Sequence, residues 1–295
     1  MRRQFATLDV FTDRRFAGNP LAVVFDSEGL TAPAMQAVAR EFNHPETVFV
    51  LPPADPAHRA RVRIFTPARE LPFAGHPTVG TAVMLGLRHG GAGRQLVLEE
   101  DVGPVRCVFE TAGAGRGSAG FVLPQLPAES GTAPDSAAVA AALGLAPAAI
   151  GFEDFRPSRW SAGIPITFVP VAGRDAVAGC RPDPDRLVAA LGEGPVYLFC
   201  GEAEEAGHAF HARMFAPALG VREDPATGSA AAALAGLIAA HRRLADGEHA
   251  FAIEQGYEMG RPSLIRLVVV ISAGKLASAS IGGEAVVVTE GTIEA

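Results

Sequence analysis

Eleven consecutive residues, Ala230 to Ala240 (AAAALAGLIAA), contain no polar side chain. Alanine and leucine dominate, so the run is strongly helix-forming. A helix that is apolar all round has no face to offer water and must be enclosed by other structure. The run falls well short of the ~20 residues that cross a bilayer. Protein rather than lipid must therefore surround it, and the sequence predicts a central helix inside a shell.

The shell reads as β-structure. Phe5–Phe11, Leu21–Phe25, Thr47–Leu51, Arg59–Phe65, Gln95–Glu100 and Val105–Glu110 are short β-branched or alternating runs bounded by Gly, Pro or Asp. In Arg59–Phe65 (RARVRIF) arginines alternate with apolar residues, as a strand with one wet face requires. Glu99–Pro104 is predicted to be a hairpin connection, and helices are predicted over Ala32–Glu41 and His76–His89. A second series follows: strands at Phe121–Leu126, Ile166–Val171, Val196–Cys200, His208–Phe215, Phe251–Gln255, Leu264–Ile271, Leu276–Ile281 and Glu284–Thr289, with helices near Asp135–Leu143 and Asp183–Leu191. The order is not a regular βα alternation, which disfavours a doubly wound parallel sheet. Thr111–Gly120 (TAGAGRGSAG) reads as a loop or boundary, and its formal GxGxxG lacks the strand-then-helix frame of a dinucleotide site.

Composition narrows the function classes. The chain of 295 residues suggests about two domains. With 48% hydrophobic residues it can bury a sizeable core. A formal net charge of −7 argues against a nucleic-acid binder. Cys107, Cys180 and Cys200 lie far apart, which argues against a disulfide framework or thiolate metal site and suits a cytoplasmic location. The N-terminal residues show no apolar secretory segment.

The chain also echoes itself. Phe65-Thr66-Pro67 followed by Gly75-His76-Pro77-Thr78-Val79-Gly80-Thr81-Ala82 resembles Phe215-Ala216-Pro217 followed by Glu223-Asp224-Pro225-Ala226-Thr227-Gly228-Ser229-Ala230. Pairing His76 with Asp224 also pairs Pro77 with Pro225, Gly80 with Gly228 and Thr81 with Ser229, all at an offset of 148 residues. Each copy is expected to run from a strand through a loop into a helix with proline in its first turn. Two such helix starts expose free N–H groups that can hold a carboxylate or a developing enolate.

Four motifs carry a family resemblance: Asp9-Val10-Phe11-Thr12 with Phe16-Ala17-Gly18-Asn19-Pro20-Leu21-Ala22-Val23; His44-Pro45-Glu46-Thr47-Val48-Phe49; Phe73-Ala74-Gly75-His76-Pro77-Thr78-Val79-Gly80-Thr81-Ala82; and Glu223-Asp224-Pro225-Ala226-Thr227-Gly228-Ser229-Ala230. In this order they resemble the PhzF family of phenazine-biosynthesis-like isomerases. The resemblance implies the diaminopimelate epimerase-like α+β fold: two similar lobes, each a β-barrel around a central helix, with the active site between lobes. The lobes are expected at residues 1–117 and 118–295, with the last strand a candidate to cross back to the first. A single acid/base, Glu46, is implied to move a proton between carbons of a cyclic acid, with no metal or organic cofactor and a homodimeric state. Relatives in the wider superfamily that use two cysteines are a poor match, because His76 and Asp224 occupy those places.

Taken singly, the residues keep two readings. Glu46 at a strand mouth would ordinarily face solvent, and the motif context reverses that. Desolvation there would raise its pKa. His76 is expected to polarise or hydrogen-bond substrate and Asp224 to orient an amine or hydroxyl, although Asp224 also fits a helix N-cap. Gly75, Gly228 and Ser229 are expected to bind the anion, and Asn19 is either a turn residue or a ligand contact. His208 and His211 are expected on opposite strand faces, Glu202–Glu205 in a solvated loop, and Trp160 at a lobe edge or interface. The functional expectation is a cofactor-independent isomerase acting on a small carboxylate-bearing metabolite. An amino- or hydroxy-acid epimerase and a non-catalytic ligand-binding protein are the alternatives.

Overall fold

The structure is a computed structural model describing residues 1–89 and 94–295. The chain groups into two units, Met1–Pro124 with Gly282–Ala295, and Gln125–Ile281. The first contains β1 (Arg2–Val10), β2 (Asn19–Val24), α1 (Ala32–Phe42), β3 (Glu46–Leu51), β4 (Ala60–Phe65), β5 (Glu70–Leu71), α2 (Gly75–His89), β6 (Gln95–Glu100), β7 (Gly103–Gly113) and β8 (Arg116–Val122). The second contains β9 (Ala128–Glu129), α3 (Ser136–Leu143), β10 (Ser158–Ser161), β11 (Pro165–Pro170), α4 (Arg174–Gly179), α5 (Pro184–Leu191), β12 (Val196–Cys200), β13 (Phe210–Ala216), β14 (Val221–Asp224), α6 (Gly228–His241), β15 (Gly247–Gln255) and β16 (Ser263–Ser272). The last strand, β17 (Lys275–Glu294), starts in the second unit and ends in the first. The fold class is α+β, as expected. No helix among the described residues is long and apolar enough to cross a membrane.

In the first unit β17, β1, β2, β3, β4, β6, β7 and β8 pair in that order, and β8 returns to β17, closing an eight-stranded barrel. Helix α2 runs inside it, buried from Gly75 through Gly86 and packed on β1, β2, β3, β6, β7 and β8. The parallel pairs β2–β3 and β4–β6 need crossovers, which α1 and α2 supply. The second unit repeats this succession. Strands β9 to β13, then β15 and β16, pair in order, with β11–β12 and β13–β15 parallel. Helix α6, the apolar run of the sequence, occupies the place of α2 and packs on β9, β10, β11 and β16.

The repetition extends to side chains that sequence comparison does not align. Arg63 clamps Glu70 with two hydrogen bonds of 2.6 Å, and Arg213 clamps Glu223 at 2.8 and 2.9 Å. Glu99 accepts from the Ala54 and Asp55 amides and meets His58; Glu254 accepts from the Glu204 and Glu205 amides and meets His208. Each bidentate pair tethers a short edge strand that leads toward the central helix.

Several expectations are corrected. Thr111–Gly120 is not a loop: it is the β7–β8 hairpin, turning at Ala114 and Gly115, both with positive φ. Its glycines therefore lie in the hairpin strands and their turn rather than ahead of a helix. The two final strands are one, and at Gly282 the chain passes so close to the Ala119 carbonyl that an added Cβ would stand 2.7 Å from it. His208 precedes β13, so strand alternation does not separate it from His211, and both rings reach Glu254 at 2.7 Å. Pro225 lies ahead of α6, not in its first turn. The Glu202–Glu205 loop is solvent-exposed, as expected, and two of its amides anchor it on Glu254.

Trp160 packs over α6 and is only 8% exposed. A Cβ at Gly236 would fall 2.6 Å from Trp160 Cε3 and 3.1 Å from Pro127 Cβ. Gly236→Ala gains helix propensity of up to ~1 kcal/mol but overpacks this contact by ~1–3 kcal/mol. A lower denaturant midpoint with unchanged m-value is expected; a raised midpoint would show that the indole shifts freely.

Candidate active site

Three segments of the first unit meet at one end of α2. Helix α1 stops at Asn43, whose φ of 52° turns the chain and whose N–H bonds the Ala39 carbonyl. Pro45 follows and holds the backbone extended, so Glu46 becomes the first residue of β3, paired with Leu21 of β2. Asn19 and Pro20 open β2. Gly18 ahead of them has φ +64°, and a Cβ there would stand 2.4 Å from the Val10 carbonyl, so only glycine makes this turn. Asn19 is thus a fully buried strand residue rather than a turn residue. Gly75 and His76 begin α2.

The structure brings Glu46 and His76 together: His76 Nε2 lies 3.3 Å from Glu46 Oε2, with side chains 6% and 16% exposed. Burial pushes the His76 imidazole down to about 3, despite the Pro20 carbonyl that accepts a hydrogen bond from the ring; nearby His44 pushes the same way. A carbonyl can only accept, so the ring nitrogen facing Pro20 carries the single proton of the neutral imidazole. Nε2 then presents a lone pair to Glu46. A hydrogen bond across that gap requires the proton to sit on the Glu46 carboxyl. With a neutral imidazole the contact is not an ion pair.

The second unit holds the other predicted residues. Asp224 ends β14, and its carboxylate accepts the Thr227 hydroxyl at 2.5 Å. Asp224 is not the N-cap of α6; Thr227 holds that position, and its side chain makes no capping bond. Gly228 and Ser229 form the first two helical residues, Gly228 buried and Ser229 half-buried. This segment is held sideways by the buried Gln255: its Nε2 donates to the Asp224 carbonyl at 2.7 Å and to Thr227 Oγ1 at 2.9 Å, and its Oε1 accepts the Thr227 amide at 3.1 Å.

Sequence reasoning missed Pro20, Thr78, Glu100, Thr227 and Gln255. A signal existed for two of them. Leu96, Leu98 and Glu100 alternate inward along β6, and Phe251, Ile253 and Gln255 along β15, so each polar residue falls on a buried face. Among the described residues no group of His, Cys, Asp and Glu is arranged to hold a metal ion.

A sequence profile described as phenazine biosynthesis-like protein, PhzC-PhzF, matches residues 8–291. The chain is 50% identical over 298 residues to an uncharacterized isomerase of Mesorhizobium japonicum, covering 99% of this chain and 98% of that one. It is 35% identical over 289 residues to a trans-2,3-dihydro-3-hydroxyanthranilate isomerase of Pseudomonas chlororaphis, covering 98% of each. The crystal structure of a phenazine biosynthesis protein of the PhzF family from Bacillus anthracis superposes with a TM-score of 0.90 at 26% identity, covering 100% of both chains.

Proposed function

The chain belongs to the PhzC-PhzF family of phenazine biosynthesis-like proteins and is an isomerase, and from that premise we propose that Glu46 moves one proton between two carbons of a small, carboxylate-bearing metabolite. The observation that carries this reading is the Glu46–His76 contact. As a carboxylate, Glu46 takes a proton from one carbon; the electron pair delocalises into the adjoining unsaturated system. The resulting acid donates to His76 Nε2. Because burial leaves that nitrogen a very weak base, the proton stays on the carboxyl and is returned to a different carbon. One C–H bond breaks, another forms and a double bond moves, so no electrons are exchanged with an outside reagent and no step runs through a metal or cofactor. Asp224 is proposed to orient an amine or hydroxyl of the substrate, and the amides of Gly75, Gly228 and Ser229 to bind its carboxylate; Asn19 is proposed as a further polar contact. The unpaired cysteines favour the cytoplasm as its location.

The compound to try first is trans-2,3-dihydro-3-hydroxyanthranilate, which the Pseudomonas chlororaphis relative is named for. Turnover in deuterium oxide is expected to give a product with its new C–H at a different carbon, only partly deuterated because Glu46 returns part of the original proton. Activity is expected to survive exhaustive dialysis against a chelator. Deuterium at the original carbon with inverted configuration would make the protein an epimerase. Equal binding by wild type and Glu46→Gln with no product from either would make it a binding protein.

A further inference from the structure

Glu100 closes β6 and is 7% exposed, yet nothing in the proton transfer calls on it. Its Oε1 lies 2.8 Å from Thr78 Oγ1, and the same hydroxyl lies 2.8 Å from the Ala74 carbonyl. Thr78 has one hydroxyl proton and two oxygen neighbours. The Ala74 carbonyl can only accept, so both contacts are satisfied at once only when a proton sits on Glu100. The chain then runs from the Glu100 acid to the Thr78 hydroxyl to the Ala74 carbonyl. It spans the turn that carries Gly75 and His76.

The second unit shows the same device built differently. Strand β6 sets Glu99 opposite Arg61 of β4, and β15 sets Glu254 opposite His211 of β13. The next residues, Glu100 and Gln255, therefore occupy the same register. Both reach the start of their unit's central helix, Glu100 through Thr78 and Gln255 through Thr227 and Asp224. A neutral hydrogen-bond donor fits this position in both units.

We infer that Glu100, as a neutral acid, is a positioning residue that fixes the first turn of α2 and so sets His76 against Glu46; the inference rests on the reading of that pair as the acid/base centre. Burial holds the Glu100 carboxyl up at about 8, with Thr78 pulling down and Asp101 pushing up. The other titratable group facing it is the Cys107 thiol of β7, itself pushed well up by burial and by Glu100. Ionisation of Glu100 would turn the Thr78 hydroxyl toward it and release the Ala74 carbonyl, loosening the His76 turn at alkaline pH. The raised value means that the folded chain keeps a proton that the unfolded chain has lost. The resulting stabilisation is complete below about 4.5 and fades as pH rises through about 8.

Glu100→Gln puts in the first unit the side chain that the second already uses, whereas Glu100→Met keeps bulk without a donor. Turnover of trans-2,3-dihydro-3-hydroxyanthranilate, melting temperature and the ¹⁵N signals of the His76 ring are followed from pH 5 to pH 10. Wild type is expected to lose kcat above pH ~8 and to shift its His76 signals over the same range. Glu100→Gln is expected to show neither change, and to melt above wild type at pH 9 but level with it at pH 5. Glu100→Met is expected to lose ~10-fold or more in kcat with little change in KM, through displaced geometry. An alkaline fall and His76 shift in Glu100→Gln that superimpose on those of wild type would overturn the inference, whether or not the Met variant folds. If no variant turns the substrate over, the acid/base reading fails on its own, and the His76 signals and melting curves still decide the role of Glu100.

Discussion

Glu46→Gln is expected to lower kcat by ~10²–10⁴-fold, the range measured for removing a positioned general base, equivalent to ~3–5 kcal/mol of barrier. The amide is nearly isosteric, so binding should change little and the loss should fall on kcat rather than on KM. The structural background is undemanding: Glu46 sits at a strand mouth with its side chain 16% exposed, so folding is expected to survive. The amide can still donate to His76 Nε2 but cannot take a proton from carbon. Retention of kcat within threefold would remove Glu46 from the chemistry. A parallel loss of melting temperature would instead assign it a structural role.

Glu254→Ala is expected to destabilise the second unit by ~3–5 kcal/mol, the cost of removing one partner from a buried charge pair. Glu254 is fully buried and holds four donors: the Glu204 and Glu205 amides at 2.8 Å, and Nδ1 of His208 and of His211 at 2.7 Å. Burial alone would push His211 down, but the Glu254 and Glu258 carboxylates on either side of it bring it up to about 9. Removal of Glu254 leaves a buried imidazolium with one partner and two amides without an acceptor. The sign of the pH dependence follows. His211 binds its proton more tightly folded than unfolded, so this stabilisation is complete below about 6.5 and fades as pH rises through about 9. Urea unfolding at pH 6 and pH 9.5 measures both effects. The wild-type advantage over Glu254→Ala should be larger at pH 6; a difference below ~0.5 kcal/mol at both values would show the network to be dispensable.

Much of the fold was legible because it follows from local rules. The period-2 pattern marked β4 and β6, and the apolar α6 required a wall around it. What misled was small-residue sequence. Glycine and alanine signal a loop when read along the chain, but in β8 and β17 they mark where two strands approach closely, a distinction that depends on the neighbour. His208 and His211 were separated on paper by an alternation that starts only at Phe210.

Hydrophobic period, turn chemistry and the four motifs are properties of neighbouring residues, and with the internal echo they settled the architecture, the family and the choice of Glu46, His76 and Asp224 as candidates. Whether a histidine is charged, whether a glutamate keeps its proton and which carbonyl takes a hydroxyl depend instead on water exclusion and on partners remote in the chain. Pro20 is 56 residues from His76 and Gln255 is 31 from Asp224, and only tertiary contact brings them within a hydrogen bond of each other. Folding therefore decided the protonation states on which the chemistry runs.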